Sequence, residues 1–202
     1  MSGLSKIASS QSPALQLRRP IHPCPREACL ILLFFLSLLG IPLHGQQPHA
    51  TESQVKAAYL YNFGKFVTWQ APVADKGDSF EICVLGKDPF GVVLDSTVSG
   101  ETINDRKVTA RKVSSLQDSE NCRVLFISSS EQGRLKDILA AARTRGTLTV
   151  SDMPRFIEKG GMIQFVPQED RIRFEVNLPA TEEAGLTLSS ELLKVATRVI
   201  GK

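Results

Sequence analysis

Apolar and polar positions follow one another in a regular pattern from residue 53 onward. Residues 53–69 place Val55, Tyr59 and Phe63 three to four positions apart, with charged and polar residues between them, which predicts an amphipathic helix. Apolar runs of strand length come next at 80–85 and 122–127, and a further strand is predicted at 107–113, where Val108 and Val113 are apolar and arginine and lysine intervene. The pattern therefore changes from helical to strand periodicity soon after the first helix.

Capping residues predict where the next helices begin. Asp88 stands before Pro89, which favours a helix that begins at the proline and runs to about residue 94. Ser129 and Gln132 have the spacing of a capping box, which predicts a helix to about Arg143. Helices between apolar strands are typical of an α/β sheet whose strands are mostly parallel.

The last third of the chain continues this pattern and adds a hairpin. We predict a short strand at 147–150, a brief helix at 154–158, a hairpin of 162–166 with 171–178, and a terminal helix at 188–200. The predicted fold class is α/β, with an open, mostly parallel, Rossmann-like sheet flanked by helices, a C-terminal hairpin and a terminal helix. Residues 53–202 form one domain in this interpretation.

The first 45 residues have the pattern of a signal peptide. Arg18, Arg19 and Arg26 precede an uncharged apolar run at 28–39, and Gly45 offers a small residue for cleavage. This run is shorter than the roughly 20 residues needed to span a bilayer. We expect cleavage after Gly45, a short linker at 46–52, export to the periplasm and no membrane insertion of the mature chain. The alternative is an uncleaved N-terminal anchor.

Composition and charge limit the classes of function that the chain can have. The chain has 202 residues, 42% of them hydrophobic and 22% charged, which is enough apolar sequence for one packed domain. The net charge of +3 lies entirely in residues 1–45, so the predicted mature chain is neutral. A neutral domain with no basic block lacks the electrostatic footprint of a nucleic-acid-binding protein.

The residues and motifs that the predicted domain lacks exclude several kinds of enzyme. The three histidines, His22, His44 and His49, all precede residue 53, so catalytic systems that use an imidazole base are excluded from the domain. Its two cysteines, Cys83 and Cys122, are too few for a structural zinc site. The segment from Gly86 begins like a phosphate loop but lacks the Gly-Lys-Ser/Thr ending. We expect no catalytic residue, metal or cofactor.

Two sets of residues are candidates for binding. A ligand site is expected at the carboxyl ends of the parallel strands, where such folds bind small molecules. Its residues would be Gly86, Lys87, Asp88, Ser128, Ser129, Ser130, Ser151 and Asp152. The alternative is that the serines are capping residues and the glycine turn is structural. In the first helix, Phe63 and Phe66 are expected in the core, whereas Tyr61 and Trp69 fall off the apolar stripe and are candidates for a partner surface.

An ordered set of segments resembles the YfiR-like family of exported bacterial regulators. The segments are 55–69, 80–91, 122–131, 148–152, 160–163 and 171–178 followed by 188–190. The resemblance implies a non-catalytic periplasmic homodimer that restrains an inner-membrane diguanylate cyclase by contacting its periplasmic sensor region. Loss of that restraint raises cyclic di-GMP and favours biofilm growth. The alternative is a periplasmic receptor for a small ligand with a different membrane partner.

The resemblance also implies a redox-sensitive pair, because Cys83 and Cys122 stand in two segments where the family carries cysteines. The first strand of such a sheet commonly lies between the second and the third, so the two cysteines belong to neighbouring strands. A spacing of about 4.8 Å between strands allows a disulfide if the residues are level and face the same way. The alternative is two buried thiols that pack as small hydrophobic side chains.

Overall fold

A computed structural model describes residues 50–70 and 78–201 of the chain. The predicted signal peptide at 1–45 and most of the predicted linker lie outside these residues. Five α-helices lie in the described ranges: α1 Glu52–Phe66, α2 Val93–Val98, α3 Leu135–Thr144, α4 Leu178–Glu183 and α5 Ser190–Val195. Short 3₁₀ helices occupy Gln117–Ser119, Ser129–Arg134 and Ile157–Lys159. None of the described helices is both long and apolar enough to cross a bilayer.

Ten strands form two sheets in the described ranges. The strands are β1 Val67–Trp69, β2 Ser79–Leu85, β3 Thr102–Ile103, β4 Arg106–Val113, β5 Cys122–Ile127, β6 Leu148–Ser151, β7 Ile163–Gln168, β8 Arg171–Asn177, β9 Leu186–Leu188 and β10 Arg198–Ile200. The larger sheet has the order β10-β8-β7-β6-β5-β2-β4-β3, and β1 pairs with β9 in a separate ribbon. The predicted α/β class is confirmed, and β2 lies between β4 and β5 as expected for the first strand of such a sheet.

Parallel pairing dominates the larger sheet, and its two antiparallel pairs are hairpins. One of them, β7 with β8, confirms the predicted hairpin. The other, β3 with β4, turns at Asn104 and Asp105, whose positive φ angles of 51° and 62° match a two-residue type I′ turn. Strand β3 is not among the strands predicted from the sequence. The hairpin of β7 and β8 is not the outermost pair, because β10 adds to β8 in parallel.

The sheet carries a core on each face because side chains alternate along the strands. The larger core contains α1, α2 and the even-numbered residues of β2, and it includes stacked and edge-on contacts among Tyr59, Phe63, Phe165 and Phe174. The smaller core lies under α3 and contains Cys83, Leu85, Leu125, Ile127 and the buried side of that helix. Because both faces are covered, most side chains of the central strands β2, β5 and β6 are buried.

The predicted terminal helix at 188–200 is wrong in extent. Only Ser190–Val195 is helical, capped by the Ser189 side chain, and Ala196 returns to extended backbone. The Thr197 amide donates to the Phe174 carbonyl, and Arg198–Ile200 continue as β10 beside β8. The β-branched residues at the end of the chain complete an open sheet edge, and this pairing outweighs the helical spacing of the sequence.

Four other predicted helices differ from the structure in their bounds or type. Helix α1 ends at Phe66, because residues 67–69 pair with β9. Helix α2 begins at Val93 rather than at Pro89, because the Asp88 side chain accepts from the Phe90 amide in a turn instead of capping a helix. The helix predicted from Ser129 begins as a 3₁₀ turn capped by Ser128. The brief helix predicted at 154–158 is the 3₁₀ turn Ile157–Lys159.

Candidate functional site

The turn after β2 is locked to the turn after β5. Gly86 has a φ of +88°, a backbone conformation that favours glycine, and a Cβ there would come within 2.4 Å of the Ser130 hydroxyl. The Lys87 amide donates to that hydroxyl at 2.9 Å. The structure thus brings the first two groups of predicted ligand residues together, and it uses the Ser130 hydroxyl to hold the turns against each other.

Asp88 is held by a salt bridge and by its own turn. Its carboxylate lies 2.7 Å from the Lys112 ammonium and accepts the Phe90 amide at 2.7 Å. Burial raises the pKa of this carboxyl, but the hydrogen bonds from Lys112 and Phe90 outweigh it and leave the pKa below its usual value. Asp88 is therefore a charged anchor between the end of β2 and β4.

The serines at the ends of β5 and β6 are tied to the backbone. Ser128 caps the 3₁₀ turn through its contact with the Ser130 amide, and it is buried. Ser151 is fully buried, donates to the Ile127 carbonyl at 2.6 Å and accepts the Met153 amide at 3.1 Å. These contacts agree with the capping alternative for Ser128 and Ser151, and Ser129 is exposed beside them.

Asp152 fastens the first helix to the sheet. Its carboxylate accepts from the Lys56 ammonium at 2.7 Å, and Lys56 also pairs with Glu52 one turn earlier in α1. Burial lowers the pKa of Lys56, but its bonds to Asp152 and Glu52 outweigh burial and raise the pKa above its usual value. Lys56 is buried, so this charged pair ties the start of α1 to the end of β6.

The predicted ligand residues therefore share one end of the sheet, as expected, but the side chains of Asp88, Ser128, Ser130, Ser151 and Asp152 are engaged by backbone groups or by lysines of the protein itself. What remains accessible there is an open depression lined by Gly86, Lys87, Lys112, Val113, Ser114, Ser130 and Glu131. The ligand site stays a prediction.

A groove larger than this depression lies away from the carboxyl ends of the parallel strands, and it was not predicted from the sequence. It has a volume of about 600 Å³ between the start of α1 and the tip of the hairpin of β7 and β8. Its lining comprises Ala50, Glu52, Val55, Tyr59 and the hairpin residues 167–173. The groove is partly apolar and carries both acidic and basic groups. The signal that could have found it is the charged hairpin tip around Glu169 and Arg171, but its position beside α1 depends on tertiary packing.

The two predicted partner-surface residues have internal contacts. Tyr61 donates its hydroxyl to Glu101, which raises the pKa of the phenol, and the Lys65 ammonium lies 5.2 Å from the ring centre. Trp69 donates its indole N–H to the Gly146 carbonyl at 2.9 Å and packs edge-on to Phe80. Both are partly buried, so each retains some surface.

The prediction for the phenylalanines of α1 was half right. Phe63 is fully buried, whereas Phe66 is 40% exposed at the end of the helix. The buried stripe of the helix runs through Lys56, Leu60, Phe63 and Gly64. Phe66 therefore joins Val92 and Val195 as the exposed large hydrophobic side chains of the described residues.

Cys83 and Cys122 form a disulfide in the structure. Their Cα atoms are 5.8 Å apart, the two residues are 39 positions apart, and both are buried in the core under α3. The two cysteines are not level, since Cys122 pairs with Glu81 and Cys83 pairs with Leu125. The expected neighbouring strands are confirmed, and the disulfide forms although the two residues are not level.

A β-bulge brings the cysteines together. The register shifts between Glu81 and Ile82: these two successive residues of β2 pair with Cys122 and Val124, which are two positions apart on β5. In a regular strand without a bulge, alternation would place Cys122 on the same face as Val124 and Phe126, opposite to Cys83. The bulge turns Cys122 to the face of Cys83 and shortens the diagonal between them.

Glu81 connects the disulfide to the neighbouring strand. One of its carboxylate oxygens and the two sulfurs lie within 4.8 Å of one another, and the carboxylate accepts from Arg111 of β4 at 2.7 Å. These three ligands, two sulfurs and a carboxylate, could hold a soft metal ion only if the disulfide were reduced and the Glu81 carboxylate were released from Arg111. In the oxidised protein the arrangement is a covalent bond beside an ion pair.

Comparison with known proteins identifies a family for this chain, whereas the solved structures it resembles are only distantly similar. Two solved structures, a conserved domain protein from Vibrio cholerae and an ABC domain in complex with L-Trp from Streptococcus pneumonia, have TM-scores of 0.48 and 0.49. They are 13% and 11% identical to this chain and cover 71% of it, while the chain spans 60% of each of them. None of the curated proteins matches. The model of the YfiR/HmsC-like family matches residues 53–197, well over half of the sequence, and the chain therefore belongs to that family.

Proposed function

We propose that the protein is a periplasmic regulator that restrains an inner-membrane diguanylate cyclase by contacting its periplasmic sensor region. The observation that carries the proposal is the family match over residues 53–197, because membership of this family suggests an exported regulator. The regulator acts as a homodimer and without turnover of a substrate. Residues 53–202 contain no histidine, which is consistent with a protein that works by contact rather than by acid–base catalysis.

The redox state of Cys83 and Cys122 is the proposed input to this regulator. The disulfide lies in the smaller core, and the Glu81–Arg111 pair beside it reaches the neighbouring strand β4. Oxidation after export closes the bond, and reduction loosens β2 against β5. A regulator built in this way is active in an oxidising periplasm and weakened by reductant.

Deletion of the gene tests the regulatory role in a strain that retains a membrane cyclase encoded beside it. We expect cyclic di-GMP to rise and to return to the original level with the wild-type gene. A gene whose apolar run at 28–39 carries two arginines is the matched control, because its product should stay in the cytosol and fail to complement. Unchanged cyclic di-GMP in the deletion strain would contradict the proposed function.

A second function, as a receptor for a small ligand, is favoured by one observation. The groove between α1 and the hairpin tip has about 600 Å³ and combines apolar with charged lining, which suits a small amphipathic molecule. Replacing Tyr59 by alanine would enlarge the groove, and Tyr61→Ala, outside it, is the control. A thermal-shift screen of periplasmic metabolites in which no compound stabilises the wild-type protein would contradict this function.

A further inference from the structure

The outer edge of β4 is open over part of its length. Strand β3 covers only Arg106 and Lys107, and the Val108 amide donates to the Glu101 carbonyl at 2.9 Å. From Thr109 to Val113, β4 pairs with β2 on its inner side, and no described residue pairs with its outer side. This open stretch of strand belongs to the eight-stranded sheet and is anchored along its full inner side.

The bond from Val108 fixes which backbone groups point outward. In a strand, the N–H and C=O of one residue point to the same side, and successive residues alternate sides. Because the Val108 N–H points outward, the N–H and C=O groups of Ala110 and Lys112 point outward as well. The edge therefore offers two donors and two acceptors with the spacing of a β-ladder.

The long side chains of this edge are held back from it. Arg111 is bound to Glu81 on one face of the sheet, and Lys112 is bound to Asp88 on the other, both at 2.7 Å. Ala110 between them is small. Charged side chains commonly protect an edge strand by extending over it, but here two of them are drawn inward by carboxylates of β2 and its turn. The backbone of Ala110 and Lys112 is left accessible.

The charge of β4 selects the partner. The strand has four basic residues and no acidic one: Arg106, Lys107, Arg111 and Lys112. The side chains of Arg111 and Lys112 remain 42% and 65% exposed despite their ion pairs. An incoming strand with carboxylates at its centre would find opposite charges on both faces.

A second copy of the chain fits this edge poorly. Symmetric antiparallel pairing of Ala110 with Lys112 of another copy would set Arg111 directly opposite Arg111, and like charges opposite each other destabilise a sheet. The other symmetric register, with Ala110 opposite itself, would match Lys112 with Val108, whose outward amide is already bonded to Glu101. Self-association through this edge is therefore disfavoured.

We propose that the β4 edge from Thr109 to Val113 is a docking site for an extended acidic segment of a partner protein, which adds to the sheet as a ninth strand. Main-chain bonds to Ala110 and Lys112 supply affinity, and Lys107, Arg111 and Lys112 supply the preference for acid. The inference deepens the proposed function, because it names the surface and the kind of segment through which the regulator would contact its partner.

Hydrogen exchange of the wild-type mature protein tests the edge without any variant. The probe is an eight-residue capped peptide of threonine and valine with two central glutamates, and the control is the same peptide with lysines. We expect the acidic peptide to slow exchange at the Ala110 and Lys112 amides. The Thr109 and Arg111 amides, which face β2, are already protected. Equal effects of both peptides, or no slowing at Ala110 and Lys112, would overturn the proposal.

Two variants make the test specific. Ala110→Pro removes an outward N–H but no hydrogen bond between β4 and β2. It should therefore weaken binding of the acidic peptide by about tenfold or more, while Ala110→Val should bind the peptide like the wild type. Lys107→Glu should also weaken binding, and Lys159→Glu, an exposed lysine elsewhere, is its control. Binding that is unchanged in Ala110→Pro would overturn the proposal, and the exchange experiment decides it if that variant does not fold.

The cellular readout separates this inference from the proposed function. If the edge is the contact surface, Ala110→Pro raises cyclic di-GMP to the level of the deletion strain while the protein stays at its normal abundance. If deletion raises cyclic di-GMP and Ala110→Pro does not, the proposed regulatory function is supported and the proposed docking site is overturned. If deletion has no effect, the proposed function fails, and the peptide experiment alone decides the edge.

Discussion

The two faces of the eight-stranded sheet are stabilised in different ways. Among the described residues, the face under α1 and α2 buries 26 hydrophobic side chains, whereas the face under α3 buries 11 and contains the disulfide. Packed aromatic rings dominate the first face. The comparison shows that the covalent bond lies where the hydrophobic core is smaller and contributes less on its own.

The aromatic face should give the largest effect of a single substitution. Phe63→Ala removes a fully buried ring that contacts Tyr59, Phe165 and Phe174. We expect the free energy of unfolding to fall by about 3–5 kcal/mol, because the lost ring leaves a cavity. Phe66→Ala, at a residue 40% exposed in the same helix, should cost less than about 1 kcal/mol. Urea unfolding measures both, and similar losses would contradict the comparison.

The disulfide face should respond to loss of its covalent bond. Replacing Cys83 and Cys122 together by alanine frees a loop of 39 residues. Chain entropy predicts a loss of about 3–4 kcal/mol in the free energy of unfolding. Reductant should lower the melting temperature of the wild type and leave the double variant unchanged. A reductant effect of equal size on both proteins would mean that the bond is not its cause.

The bulge at Arg123 can be tested separately from the cysteines. Deleting Arg123 gives β5 a regular register with β2 while Cys122 stays opposite Glu81. Cys83 then lies diagonally across from Cys122 at about 8 Å, given strands about 4.8 Å apart and a rise of about 3.3 Å per residue. This exceeds the reach of a disulfide, about 7 Å. We expect free thiols in the deletion variant and none in Arg123→Ala. A disulfide in the deletion variant would refute this role of the bulge.

The sequence supports the fold class, the hairpin and the neighbouring positions of β2 and β5, because these follow from apolar runs and turn residues. It does not reveal the bulge, since nothing in the run that begins at Cys122 marks Arg123 as the extra residue. It also does not reveal β10, because Val199 and Ile200 suit a helix face as well as a strand until an open edge at β8 is present. Long-range pairing decides both features.

The same reasoning applies to the candidate site. The strand ends at Asp88, Ser128 and Ser151 could be located from the sequence, and the structure places them at one end of the sheet. Their internal partners could not be predicted, because Lys112 and the carbonyl of Ile127 come from other strands. The groove beside Tyr59 and the open edge at Ala110 depend in the same way on which elements become neighbours.

The smallest predicted effect concerns the pH dependence of the salt bridge outside the two cores. Because the pKa of Asp88 is lowered in the folded protein, its contribution to stability is present above the unfolded value, about 3.9, and is lost as the pH falls through the folded value. Asp88→Asn should therefore remove part of the stability at pH 6, below about 1 kcal/mol, and less at pH 2. Thermal unfolding at both pH values measures this. A difference in stability between wild type and Asp88→Asn that is the same at both pH values would contradict the predicted direction of the pH dependence.

The most direct test of the account is the intact mass of the chain isolated from the periplasm, denatured and treated with a thiol-alkylating reagent. The account predicts a chain that begins at Gln46 and carries no alkyl group, because export removes the leader and oxidation closes the Cys83–Cys122 bond across the smaller core. A full-length chain, or a mature chain alkylated at both cysteines, would contradict it.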